Sequence, residues 1–206
     1  MHIADGYIES APLLAGSAIL AAAGVVVGLR KTSYDRLPQV AVLASAFFVA
    51  SLIRVPIGAT SAHLLLVGLV GLILGWAAFP ALLVALLLQA VFFGHGGLTT
   101  LGVNTLNMAL PAVACHYLFG RAFRRNGGAE SRRSLFRVGF AAGLTGIVLA
   151  GGMTASALLI SGSGFESFVG VMGIAHIPLF IVEALVTGSV VVFLQRVCPE
   201  LLALPG

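Results

Sequence analysis

Charge is scarce in this sequence. Of 206 residues only 9% are Asp, Glu, Lys or Arg, while 59% are hydrophobic and the mean hydropathy is +1.10. A soluble domain carries about a quarter charged residues, so this chain cannot cover itself for water and belongs in a bilayer. Cysteine is scarcer still: Cys115 and Cys198 are too few and too far apart for a disulfide framework. Walker A sequence is missing, so the chain has no phosphate-binding loop of its own. No Lys or Arg precedes Arg30, whereas a secretory leader needs basic residues ahead of its apolar core; Met1 is therefore expected to be the mature start. At about 20 residues per spanning helix, there is room for about six or seven spans and almost no soluble domain. That excludes a fused ATPase or a large globular enzyme.

What is present is a series of apolar runs broken by Gly, Pro and charge. They predict an all-α, polytopic membrane protein with about seven transmembrane helices, near 11–29, 38–53, 62–78, 80–94, 105–120, 138–160 and 168–194. The third and fourth runs are nearly continuous; Pro80, after Gly75-Trp76, divides them because proline cannot continue a helix interior. The whole chain, 1–206, reads as one integral membrane domain, with an N-terminal segment over 1–10 and an Arg-rich loop over 121–137.

The net charge of +4 is carried in short loops beside apolar runs, where basic residues act as topology signals rather than nucleic-acid contacts. With the N-terminus outside and the C-terminus cytoplasmic, Arg30, Lys31, Arg36, Arg121, Arg124, Arg125, Arg132, Arg133, Arg137 and Arg196 are cytoplasmic. Only Arg54 is left outside, so ten of eleven basic residues obey the positive-inside rule. The Arg121–Arg137 cluster then contacts lipid headgroups. This orientation gathers His2, His63, His95 and His176 toward the outer face and leaves His116 toward the cytoplasm.

The pair Met1-His2 carries the most chemistry. A free α-amine, the His2 backbone nitrogen and His2 Nδ1 can bind one metal together, closing a five-membered and a six-membered chelate ring. Three nitrogens are held near one plane, with a fourth position open to another imidazole. Four nitrogens in a plane suit Ni(II) or Cu(II), whereas Zn(II) prefers a tetrahedron. His63, after the polar turn Gly58-Ala59-Thr60-Ser61, is the candidate fourth donor, and Asp5-Gly6 offers a turn to fold the N-terminus back. The alternative is that His2 sits in a frayed tail.

The opening Met1-His2-Ile3-Ala4-Asp5-Gly6-Tyr7-Ile8, the stretch from Gly94 to Pro111 headed by His95, Ser61-Ala62-His63, and His176-Ile177-Pro178-Leu179 with Glu183 together resemble the CbiM/NikM family. Its members are substrate-binding components of energy-coupling-factor transporters for cobalt and nickel, and the resemblance runs the length of the chain. It implies seven helices, an outside N-terminus, location in the cell (inner) membrane, and a ligand set of the Met1 amine, the His2 amide and imidazole, and His63. The cargo would be Ni(II) or Co(II), with no organic cofactor. The partners implied are a membrane coupling subunit, ATP-binding-cassette ATPases and a small accessory membrane subunit. One departure concerns the metal: many cobalt-type members have His-Pro-Thr-Gly where His63 is followed here by Leu64-Leu65-Leu66. The planar-nitrogen argument leans to nickel.

Around these ligands, His95, Thr99, Asn104 and Asn107 read either as partners that orient them or as an ordinary glycine-rich connection. His176 and Glu183, seven apart and so on one helix face, read either as a metal route or as a structural pair. Cys115-His116 points two ways around its helix and is not a metal pair. Small residues four apart, Ala11-Ala15, Gly24-Gly28 and Gly71-Gly75, are packing faces. Two rivals remain. Ser161-Gly162-Ser163-Gly164 with His176 suggests an intramembrane serine hydrolase, which needs serine and base within hydrogen-bond reach. A stand-alone metal channel or secondary transporter would need no partner.

Overall fold

The structure is a computed structural model and describes residues 2–52, 54–57, 60–127, 132–162 and 166–199. Among these residues the chain forms seven α-helices: α1 (Ala11–Lys31), α2 (Leu37–Ala50), α3 (Val67–Leu74), α4 (Ala78–Phe93), α5 (Leu101–Gly127), α6 (Arg132–Ser161) and α7 (Glu166–Val197). Four helical stretches have the length and hydropathy to cross a bilayer, namely Ala11–Lys31, Val67–Phe93, Arg132–Ser161 and His176–Val197. Their outward faces are apolar, with Ile19, Leu20, Phe92, Ile160 and Ile181 exposed. An outer belt of this kind is tolerable only against lipid tails.

The helices alternate in direction, as their contacts require. Gly71 lies against Ala112 and Gly75 against His116, so α3 and α5 run in parallel. Trp76 Nε1 donates to Tyr117 Oη at 2.8 Å at one end of α4, and Gly96 lies beside Asn104 at the other, so α4 opposes α5. Cys115 Sγ donates to the Ala142 carbonyl at 3.4 Å and Asn107 Nδ2 to Thr154 Oγ1 at 3.5 Å, which sets α6 against α5. Gly139 meets Gly188 and Gly143 meets Thr187, setting α7 against α6.

The stretch Val67–Phe93 is therefore two opposed segments. The chain reverses at Gly75, whose φ of 56° only glycine adopts without strain, and passes through a 3-10 turn over Gly75–Ala77. Pro80 falls in the first turn of α4, where its missing N–H has no helical partner to lose. The break is thus where the sequence places it, but glycine makes the turn.

The third predicted span, 62–78, needs correction. Helix begins only at Val67. Ahead of it lies an antiparallel hairpin of β1 (Arg54–Ile57) and β2 (Thr60–His63), with Arg54 opposite His63 and Ile57 opposite Thr60. An eight-residue α3 is only about 12 Å long at 1.5 Å per residue. All of it is buried between α5 and α6. Gly68 backs onto the Ala142 carbonyl and Gly71 onto the Ala112 carbonyl, approaches that leave no room for a Cβ.

Elsewhere helix extends past the apolar runs. α5 runs on to Gly127 and α6 starts at Arg132, so Arg121, Arg124, Arg125, Arg132, Arg133 and Arg137 stand on helices rather than in a loop. Hydropathy ends where headgroups begin, whereas backbone hydrogen bonds do not. Of the three small-residue pairs, Gly24-Gly28 packs internally on Phe79, Trp76 and Pro80, and Gly71-Gly75 on Ala112 and His116; Ala11 and Ala15 are exposed.

Candidate metal site

The N-terminal segment folds back into one end of the bundle. Its anchor is Ile3, fully buried beside Ile8, Val103, Ala157 and Leu158. The Ile3 N–H donates to Asn104 Oδ1 at 2.9 Å, and its carbonyl accepts from Asn104 Nδ2 at 2.9 Å and from Thr100 Oγ1 at 2.8 Å. Thr100 and Asn104 stand four apart on α5 and its approach, hence on one face. They treat Ile3 as a neighbouring strand would, satisfying both polar groups of a buried backbone. Gly96, at φ 77°, lies against His2 Cβ and the Ile3 carbonyl, leaving space for the segment.

Asp5 fastens the next turn. Its carboxylate accepts from the Leu98 N–H at 3.2 Å, the Thr99 N–H at 3.1 Å, the Thr100 N–H at 3.4 Å, and the Thr99 hydroxyl. These are amides just ahead of α5, where helix geometry leaves N–H groups without internal partners. Partial burial raises the Asp5 pKa, but the Thr99 hydroxyl and the Thr100, Leu98 and Thr99 amides outweigh it and hold the carboxyl below its ordinary value. Gly97 sits so close to that carboxylate that a Cβ would overlap it.

This clamp sets His2 against His63, both buried. His2 Nδ1 lies 3.0 Å from His63 Nε2, and the two rings stack with centroids 4.5 Å apart and planes 15° apart. His63 Nδ1 lies 3.0 Å from the Leu64 carbonyl oxygen. A carbonyl can only accept, so Nδ1 carries the proton and Nε2 presents a lone pair toward His2. With metal–nitrogen bonds of about 2.0–2.1 Å, two donors at a right angle stand about 2.8–3.0 Å apart. The observed separation matches that distance, while the near-parallel stack keeps the two in-plane lone pairs in neighbouring planes, so the rings must turn to share one metal.

Among the described residues no three His, Cys, Asp or Glu side chains gather for a metal. A site of the predicted kind needs only two, because its other donors are backbone nitrogens. Met1, the predicted amine donor, lies outside the described residues.

The remaining predicted residues divide. Thr99 and Asn104 join the clamp. His95 is buried at the same end, its ring 5.6 Å from Phe93. Asn107 bonds Thr154 on α6. His176 is buried, 6.5 Å from Phe180, and with Gly151, Gly152 and Gly173 it lines a cavity of about 180 Å³ between α6 and α7. Glu183 is buried too and accepts from the Leu65 N–H at 2.9 Å. Ser161 donates its hydroxyl to the Ala157 carbonyl at 2.7 Å, and Ser163 lies outside the described residues. His116 is at the far end of the bundle, against Gly75. Sequence reasoning missed Thr100, although its spacing from Asn104 was a legible signal.

The fold is that of a multi-pass membrane protein whose N-terminal segment turns back to set its own His2 against His63. Residues 2–201 match the family model described as "Cobalt uptake substrate-specific transmembrane region", and the chain belongs to that family of transport components. A Haemophilus influenzae protein, provisionally named a metal transport protein, is 43% identical over 98% of this chain and 97% of its own length. The fused nickel transport protein NikMN of Rhodobacter capsulatus is 38% identical over 98% of this chain, which spans 64% of that longer protein. The cobalt transport protein CbiM of Sorangium cellulosum is 32% identical over 98% of this chain and 94% of its own length. The crystal structure of a truncated transition metal transporter matches 95% of this chain and 99% of its own, with 27% identity and a TM-score of 0.79.

Proposed function

We propose that this chain is the metal-capturing component of an ATP-driven importer of the energy-coupling-factor type, taking Ni(II) or Co(II) from outside, with nickel favoured. The donors are the Met1 amine, the His2 amide and imidazole, and His63. The observation that carries this reading is the 3.0 Å approach of His2 Nδ1 to His63 Nε2 in a buried site fastened by Asn104 and Asp5. Two further features support it. The alternating helices bring the basic ends of α1, α5, α6 and α7 to the side opposite the histidines, so an outside N-terminus satisfies the positive-inside rule. The nitrogen donor set is the one a planar d⁸ ion prefers.

On this reading the energy comes from a separate engine, a membrane coupling subunit with ATPases, because the sequence carries no Walker A motif. The test is uptake of radioactive nickel into vesicles holding this chain alone, then with those partners and ATP. Binding alone and sustained uptake only with the partners is expected. Concentrative uptake by the lone chain would overturn the reading and favour a secondary transporter.

A further inference from the structure

Glu183 lies within α7 and is fully buried, where an ionisable side chain is costly. Its Oε2 accepts from the Leu65 N–H at 2.9 Å, and the amides of Leu66 and Val67 turn toward the same carboxylate. These amides open α3. The residue before that helix, Leu66, stands at φ 51° and offers no side-chain cap. The first N–H groups of a helix have no partner within it, and the Glu183 carboxylate supplies one from a neighbouring helix.

Capping accounts for the burial but not for the whole geometry. The Leu65 N–H and the Leu64 C=O belong to one planar peptide unit. That carbonyl accepts from His63 Nδ1 at 3.0 Å. Glu183 thus reaches His63 through a single rigid plane: carboxylate to N–H on one edge, C=O to imidazole N–H on the other. An anion bound at the N–H polarises the peptide and makes its carbonyl a stronger acceptor. The ring is held with Nδ1 protonated and the Nε2 lone pair toward His2. Metal-binding imidazoles commonly depend on such a partner for tautomer and orientation.

The geometry points to Glu183 as the positioning residue of His63, acting through the Leu64–Leu65 peptide as a carboxylate–peptide–imidazole relay. The inference rests on the metal capture proposed at His2 and His63. It is tested on the full chain with its native N-terminus, in detergent, with Ni(II) as the probe. Glu183→Gln keeps an acceptor for Leu65 and loses the charge; Glu183→Leu loses both. Nickel affinity is expected to fall about 10-fold in the first and up to about 100-fold in the second. In ¹⁵N NMR of histidine-labelled protein, His63 should leave the pure Nδ1–H tautomer in Glu183→Leu. Wild-type affinity in a folded Glu183→Leu protein overturns the relay, and so does lost affinity with an unchanged His63 tautomer, which would mark a cap only. Should Glu183→Leu fail to fold, wild-type affinity in Glu183→Gln overturns it alone. His63→Ala separates the two readings. If His63→Ala still binds nickel, the metal site itself is wrong. If it abolishes binding while both Glu183 variants bind normally, only the relay is wrong.

Discussion

Asn104→Leu tests whether docking of the N-terminal segment underlies metal capture. Leucine keeps the branched shape of asparagine, with somewhat greater bulk, but neither donates nor accepts. The Ile3 carbonyl would keep its bond from Thr100 Oγ1 at 2.8 Å, while the Ile3 N–H would lose its only described acceptor in a buried place. A lost hydrogen bond costs about 0.5–1.5 kcal/mol and a stranded buried N–H about 1–3 kcal/mol. The docked segment is therefore penalised by about 1.5–4.5 kcal/mol, or about 13- to 2,000-fold in its docking equilibrium. Hydrogen exchange across residues 2–8, read by mass spectrometry, should quicken by up to that factor. Nickel affinity, measured by calorimetry, should weaken by no more than the same factor, because a ligand pays only for the undocked fraction. Thr100→Val, which leaves the Ile3 carbonyl its bond from Asn104, should do less on both counts. Unchanged exchange and unchanged affinity in Asn104→Leu would refute the idea that this clamp builds the site.

One residue added ahead of Met1, or acetylation of its amine, should lower nickel affinity by orders of magnitude with little change in thermal midpoint; tight binding by the extended chain would remove the amine from the site. His2→Ala and His63→Ala should each abolish nickel binding in calorimetry, and His116→Ala, at the far end of the bundle, should change nothing. Asp5 has a depressed folded-state pKa, so its latch is fully present above the ordinary value of 3.8 and is lost as pH falls through the lower folded value. Exchange over residues 2–8 should therefore be insensitive to Asp5 titration near neutrality and quicken only in that acid window, and Asp5→Asn should erase this dependence. Gly71→Ala should force α3 off the Ala112 carbonyl and cost about 1–3 kcal/mol as overpacking, read as a lower thermal midpoint in detergent.

Helices were legible wherever a single physical constraint acts along the chain. Apolar runs give α1, α2, α4 and α7 to within a few residues, and α6 at its C-terminal end. The hairpin before α3 was not legible, because its polar residues Arg54, Thr60, Ser61 and His63 read only as a loop between apolar runs, and what delays the helix to Val67 is remote. The Glu183 carboxylate on α7 satisfies amides 118 residues away. For the same reason a spacing rule paired Glu183 with His176 and could not see Leu65. The two histidines were found through chelate chemistry and the family resemblance together. The dipeptide alone is indistinguishable from a loose tail. What makes it otherwise is Asn104, whose grip on Ile3 spans 101 residues, a distance no local pattern encodes.

That separation orders events in the life of the molecule. His2, Ile3 and Asp5 leave the ribosome first, yet their receptors, His63, the loop before α5 and Asn104, emerge many tens of residues later. A nascent chain can hold one imidazole but not the site. The N-terminal segment cannot dock until at least five of the seven helices have been made. The docked N-terminus is therefore a property of the assembled bundle: a chain arrested in synthesis, or inserted with one hairpin misplaced, would not bring His2 to His63.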